Sequence, residues 1–118
     1  MSPRAGDAGH GARGDGGDRG KDRELYGGLI RLHILHHASE GPIFGLAIIE
    51  ELRTHGYRLS PGTLYPMLHA MQHKGYLRAR VERAGRRSRK VYEITRRGTA
   101  AFQEAREKVK ELFGELFS

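Results

Sequence analysis

Apolar positions between Arg23 and Ala38 recur at helical spacing and fall on more than one side of the helix. Leu25, Leu29, Leu32 and Leu35 make one face; Tyr26, Ile30 and Ile34 make another. A helix that is apolar nearly all round has to be covered on two sides. A domain of this size covers one, so a second chain is expected over the other. Ser39-Glu40-Gly41-Pro42 reads as a loop. Phe44 to His55 is the next helical stretch, with Phe44, Ile48, Ile49 and Leu52 inward and Gly56 closing it. After a short link, Ser60-Pro61 opens a third helix running to Lys74, a hydroxyl cap followed by a ring pre-set to helical φ. At about 100° per residue, Leu64, Met67, Leu68 and Met71 share its inner face. Gly62, Tyr65, Pro66, His69 and His73 fall outside. Two helices joined this way, the second with a polar outer face, make a helix-turn-helix.

Beyond Gly75 the period drops to two. Leu77, Ala79 and Val81 alternate with Arg78, Arg80 and Glu82, a strand pattern. Ala84 to Arg89 is expected to turn, and Lys90 to Ile94 to return as the partner strand. A helix-turn-helix followed by such a hairpin is a winged helix. Thr95 then caps a last helix reaching about Phe117, with Phe102, Ala105, Val109, Leu112, Phe113 and Leu116 in one stripe. Spacings of three and four make that stripe a helix–helix seam. The fold class expected is mainly α (α+β), a winged helix-turn-helix with a C-terminal dimerisation helix. Its parts are a disordered tail over 1–22, a winged-helix domain over 23–95 and the dimerisation helix over 96–118.

Charge placement sharpens the picture. Of the formal +7, the segment Arg78–Lys90 holds seven basic residues against Glu82 alone. Residues 1–22 balance four bases with four acids and contain seven of the 17 glycines, so they have too little apolar surface to offset ordering. Concentrated positive charge on a hairpin, beside a helix whose outer face carries no carboxylate, suits the phosphates of duplex DNA. The candidate DNA-binding residues are Ser60, Gly62, Thr63, Tyr65, Pro66, His69 and His73 on the helix, with Arg86, Arg87, Arg89 and Lys90 on the wing. Hydroxyls of Ser60, Thr63 and Tyr65 are assigned to phosphate; His69 and His73 are assigned to base edges. Arg96 and Arg97 open a helix where cations oppose its dipole, and nearby phosphate would account for them. The dimerisation set is Leu25, Leu29, Phe102, Ala105, Val109, Leu112, Phe113 and Leu116.

The chain has no cysteine, and no apolar run approaches the roughly 20 residues of a membrane span. A cytoplasmic location without membrane attachment is expected. Phosphate-cradling glycine loops, paired pocket carboxylates and a nucleophile–base arrangement are all missing, so the chain is read as no enzyme and as needing no cofactor. Seven histidines raise metal sensing as a rival: His33 precedes His36 by three and His37 by four, and His69 precedes His73 by four. With no cysteine beside them, and no carboxylate counted three or four residues away, no metal ligand is assigned.

Gly41-Pro42 with Gly45, then Ser60-Pro61-Gly62-Thr63-Leu64-Tyr65-Pro66, Gly75, Gly85-Arg86-Arg87 and Tyr92-Glu93-Ile94-Thr95-Arg96-Arg97-Gly98 together resemble the PadR family of prokaryotic transcriptional regulators. The likeness spans Leu25 to about Gly98; Val91 and Glu93 depart from the tyrosine and the basic residue frequent there. The resemblance implies homodimeric winged-helix repressors, here of the smaller subfamily with one C-terminal helix, on palindromic double-stranded DNA. It also implies relief of repression by a small aromatic effector between the last helices, for which Leu29, His33, Phe102 and Val109 are the candidates.

Overall fold

The computed structural model describes the chain from Asp15 to Ser118, with side chains from Glu24 onward. Four helices and three strands follow one another: α1 (Asp15–Glu40), β1 (Ile43–Phe44), α2 (Gly45–Thr54), α3 (Pro61–His73), β2 (Leu77–Ala84), β3 (Arg87–Ile94) and α4 (Arg96–Leu116). This is the α+β winged-helix architecture expected. The chain divides into two compact units, one ending at Ile30 and one spanning Arg31–Ser118. In the first, Leu25 and Leu29 are exposed. The second holds the helix-turn-helix, the hairpin and α4 together.

Its core is the apolar faces of α1, α2 and α3 closed by the base of the sheet. Ile34, Leu35 and Ala38 of α1, Ile48, Ile49 and Leu52 of α2, and Leu64, Met67, Leu68 and Met71 of α3 are all buried. Leu77, Val91 and Tyr92 join them from the sheet. Helices α2 and α3 end alike. Gly56 (φ +91) and Gly75 (φ +87) follow the last turns in the left-handed conformation. The next residue's amide reaches back five positions: Tyr57 N to Leu52 O and Tyr76 N to Met71 O, each 2.9 Å. Glycine adopts this conformation without steric cost, and both chain reversals depend on it.

Several expectations change. Helix α1 begins at Asp15 rather than Arg23, because once a helix is nucleated each added residue gains a hydrogen bond without a new nucleation cost. Residues 1–14 of the tail expected over 1–22 lie outside the described residues. Ser39 and Glu40 belong to α1, not to a loop. Phe44 is a strand residue and the N-cap of α2, not part of its inner face. Ile43 pairs with Tyr92 and Phe44 with Val91, adding a third strand to the sheet in the order β1-β3-β2. The wing turn is tighter than expected: Ala84 pairs with Arg87, leaving only Gly85 (φ +65) and Arg86 as the connection. Val81 is 63% exposed because the hairpin has by then run past the core.

Thr95 ties α4 to the end of α3. Its side chain accepts from Gly98 N at 2.9 Å, the cap expected, and its hydroxyl can donate to the Gly75 or Tyr76 carbonyl. Arg97 donates to the Lys74 carbonyl at 2.8 Å and lies over Tyr76. A cation at the C-terminal end of α3 suits that helix's dipole. Arg97 thus has a structural partner, and phosphate is not needed to account for it.

Candidate nucleic-acid interface

Helix α3 turns Leu64, Met67, Leu68 and Met71 into the core, so the remaining positions face outward by geometry. Gly62, Pro66, His69 and His73 are exposed, and Thr63 and Tyr65 are half-buried. Ser60 is the N-cap residue, but its side chain makes no capping bond; its hydroxyl lies 3.4 Å from that of Thr63. The backbone carbonyl of Ser60 instead accepts from the amides of Thr63 and Leu64. Tyr65 is less free than its helical position suggests. Its phenol ring packs on Gly45 so closely that a Cβ there would overlap the ring and hydroxyl. The neighbouring Tyr92 hydroxyl is buried without a hydrogen-bond partner among the described residues. Burial, reinforced by Tyr65, holds the Tyr92 phenol above its ordinary pKa.

The register of the hairpin explains which cations are free. Residues directly opposite in an antiparallel pair point to the same face. Arg78 opposite Glu93 and Glu82 opposite Arg89 therefore share one face with Arg80. There they form a ladder: Arg78–Glu93 at 3.3 Å, Arg80–Glu93 at 3.1 Å, Arg80–Glu82 at 3.8 Å and Arg89–Glu82 at 3.4 Å. Hydrogen bonds from Arg80 first and Arg78 next hold the Glu93 carboxyl below its ordinary pKa. Arg89 also lays its guanidinium 3.7 Å from the Phe44 ring centroid. It is folded back onto the sheet, not extended from the tip as its sequence position implies.

The opposite face carries Leu77, Ala79 and Tyr92 at its base, then Val81, Lys90 and Arg83 beyond the core. Among the described residues, Arg83, Arg86, Arg87 and Lys90 have no carboxylate partner, and all four are exposed. Lys90 lies 5.9 Å from the Tyr92 ring centroid. Arg83 was absent from the sequence-based set. Parity along β2 puts it on the face of Leu77, Ala79 and Val81, and only the cross-strand register shows that the carboxylate-bearing face is the other one.

Helix α4 leaves its stripe uncovered: Leu112, Phe113 and Leu116 are 50%, 62% and 64% exposed, while Phe102 and Ala105 nearer its start are half-buried. Phe102 tilts against His36 at 6.2 Å between ring centroids. His33 stacks on His55 at 4.7 Å between ring centroids. Contrary to the expectation, a carboxylate does lie at helical spacing from these histidines. Glu40 lies four residues after His36 and three after His37, with approaches of 3.7 and 3.9 Å. No helix among the described residues is long and apolar enough to cross a membrane.

Residues 34–104 match the model of the "Transcriptional regulator PadR-like family", a span from the end of α1 through the wing into α4. The chain belongs to the PadR-like family of transcriptional regulators. It is 44% identical over 94 residues to the transcriptional regulator Rv3488 of Mycobacterium tuberculosis, covering 80% of this chain and 88% of that protein. A PadR family regulator from Eggerthella lenta superposes with a TM-score of 0.70 at 26% identity, over 82% of this chain and 86% of that one. Bacillus subtilis PadR, solved in complex with operator DNA, shares the fold at a TM-score of 0.58 and 19% identity, over 64% of this chain and 45% of that one. The chain is therefore a PadR-family transcriptional regulator.

Proposed function

We propose that this regulator is a homodimeric, sequence-specific binder of palindromic double-stranded DNA, acting as a repressor in the cytoplasm. The observation that carries the reading is the sorting of charge on the wing. Its inner arginines Arg78, Arg80 and Arg89 are ion-paired with Glu82 and Glu93, while Arg83, Arg86, Arg87 and Lys90 are left for an external anion. Helix α3 adds an outer row without a carboxylate. Phosphate contacts position such a protein and base-edge contacts give it sequence preference, roles assigned here to the wing cations and to His69 and His73 respectively. Ser60 and Thr63 sit where a helix start meets a phosphate. Gly62 and Pro66 give that end of α3 a low profile. Tyr65 acts chiefly by fixing α3 against α2.

The dimer forms through the exposed stripe of α4, Val109, Leu112, Phe113 and Leu116, continued inward by Phe102 and Ala105. Leu25 and Leu29 offer a further uncovered apolar surface. A two-fold axis sets the two recognition helices about 34 Å apart, one turn of DNA. A small aromatic effector relieves repression by binding near His33, Phe102 and Val109, provided that it favours a dimer whose helices stand at a different spacing.

The test is a gel shift on the duplex upstream of the regulator's own gene, repeated with Arg86→Ala/Arg87→Ala and with His69→Ala. Loss of affinity on all sequences is expected from the first variant, and loss of discrimination between operator and scrambled duplex from the second. Wild-type behaviour by both would overturn the assignment.

A further inference from the structure

We propose that His33, His37 and His55 form a binding site for one divalent transition-metal ion, with Glu51 as fourth ligand or as the group that orients an imidazole. His33 and His37 lie one turn apart on α1, and His55 is the C-cap residue of α2. One ligand atom from each of the three lies within 4.8 Å of the other two. A tetrahedral ion with bonds of about 2.0–2.1 Å needs its ligand nitrogens about 3.3–3.4 Å apart. The remaining closure, about 1.5 Å shared among three rings, is within reach of side-chain rotation alone.

Three features set this cluster apart from histidines that merely pack. Nε2 of His37 is buried and has no hydrogen-bond partner among the described residues. Glu51 stands between two of the rings, its Oε2 3.6 Å from His37 Nε2 and 3.3 Å from His55 Nε2. His33 stacks on His55 with 4.7 Å between ring centroids, so rings from two different helices already face one another. A surface groove lined by His37, Glu40, Pro42, Ala47 and Glu51 opens to solvent beside two of these side chains.

Imidazole nitrogens with at most one carboxylate select zinc, nickel, cobalt or copper over magnesium and calcium, which demand oxygen shells. A second grouping, His36, His37 and Glu40, shares His37 but comes from one exposed stretch of α1. Only the first draws ligands from two helices, so an ion there would cross-link α1 to α2 within the unit that carries α3.

The experiment uses the full chain with any affinity tag removed. Co²⁺ is titrated and followed by visible d–d absorption, then displaced by Zn²⁺, and thermal unfolding is recorded with and without Zn²⁺. Expected are one ion per chain, tetrahedral-type absorption and a Zn²⁺-dependent rise in Tm. His33→Gln and His55→Gln should each weaken binding at least about 100-fold, and Glu51→Gln about 10–100-fold. His36→Gln and His69→Gln/His73→Gln should bind as wild type. His55 is 43% exposed in its side chain, and its glutamine variant, checked by circular dichroism, reports on the site without unfolding the chain. Uptake that survives His33→Gln/His55→Gln, or that is lost in His36→Gln instead, would overturn the site. So would failure to take up Co²⁺ in the wild type.

Discussion

Gly45→Ala tests how the recognition helix is held. Gly45 is the first residue of α2, and a methyl group there would intrude on the Cε1, Cζ and hydroxyl of Tyr65. Its φ is not in the left-handed region, so alanine suits the backbone, and helix propensity alone would favour it by up to about 1 kcal/mol. Overpacking opposes this. Forcing a methyl into an occupied site costs about 1–3 kcal/mol, and because Tyr65 is only half-buried its ring can swing out part of the way. The expected net loss is about 1–2 kcal/mol, a fall in Tm of about 4–10 °C for an ordered region near 100 residues. Thermal unfolding at one fixed chain concentration measures it, since a dimer's Tm depends on concentration. The discriminating comparison is a double-mutant cycle. In a Tyr65→Ala background the space is vacant, and Gly45→Ala should be neutral or stabilising. Equal losses in the two backgrounds, additive within about 0.5 kcal/mol, would refute the packing assignment.

Thr95→Val should lose about 1–3 kcal/mol, because the cap on Gly98 N and the hydroxyl donation at the end of α3 go together, whereas Thr95→Ser should lose under about 0.5 kcal/mol by chemical denaturation. Leu112→Glu/Phe113→Glu places two charges in the exposed stripe of α4; light scattering should show a monomer at micromolar concentration, with α3 and the wing still folded by circular dichroism. Glu93→Gln leaves Arg78 and Arg80 without the carboxylate they share, and should tighten binding to non-specific duplex severalfold at low salt.

Much of the fold was legible because its signals are local. The inward face of α3 follows from the spacing of Leu64, Met67, Leu68 and Met71, and the cap of α4 from a threonine ahead of a helical pattern. What stayed hidden depends on partners distant in the chain. Ile43 and Phe44 are strand residues only because Tyr92 and Val91 lie beside them, and two residues carry no period of their own. Arg89 and Arg97 look like free cations until Glu82, Phe44 and the Lys74 carbonyl are placed next to them. The wing's tip was recognisable by its arginines, yet which of them are free rests on register. His55 belongs to no spacing motif with His33 and His37; packing of α2 on α1 brings the three together. The exposed apolar stripe of α4, in contrast, follows from the three-and-four spacing of its residues.

The dependence of DNA affinity on salt tests the central claim most directly. Fluorescence anisotropy of the labelled upstream duplex, titrated with the dimer between 50 and 200 mM salt, reports how many phosphates are neutralised. Three or four contacts from each subunit give a log–log slope of about −5 to −7 and a loss of affinity of about a thousandfold or more over that range. Arg86→Ala/Arg87→Ala should flatten the slope by about 3–4, one unit per lost contact across the dimer. A wild-type slope near zero, or one unchanged by that variant, would contradict the claim that the wing's unpaired cations lie against DNA.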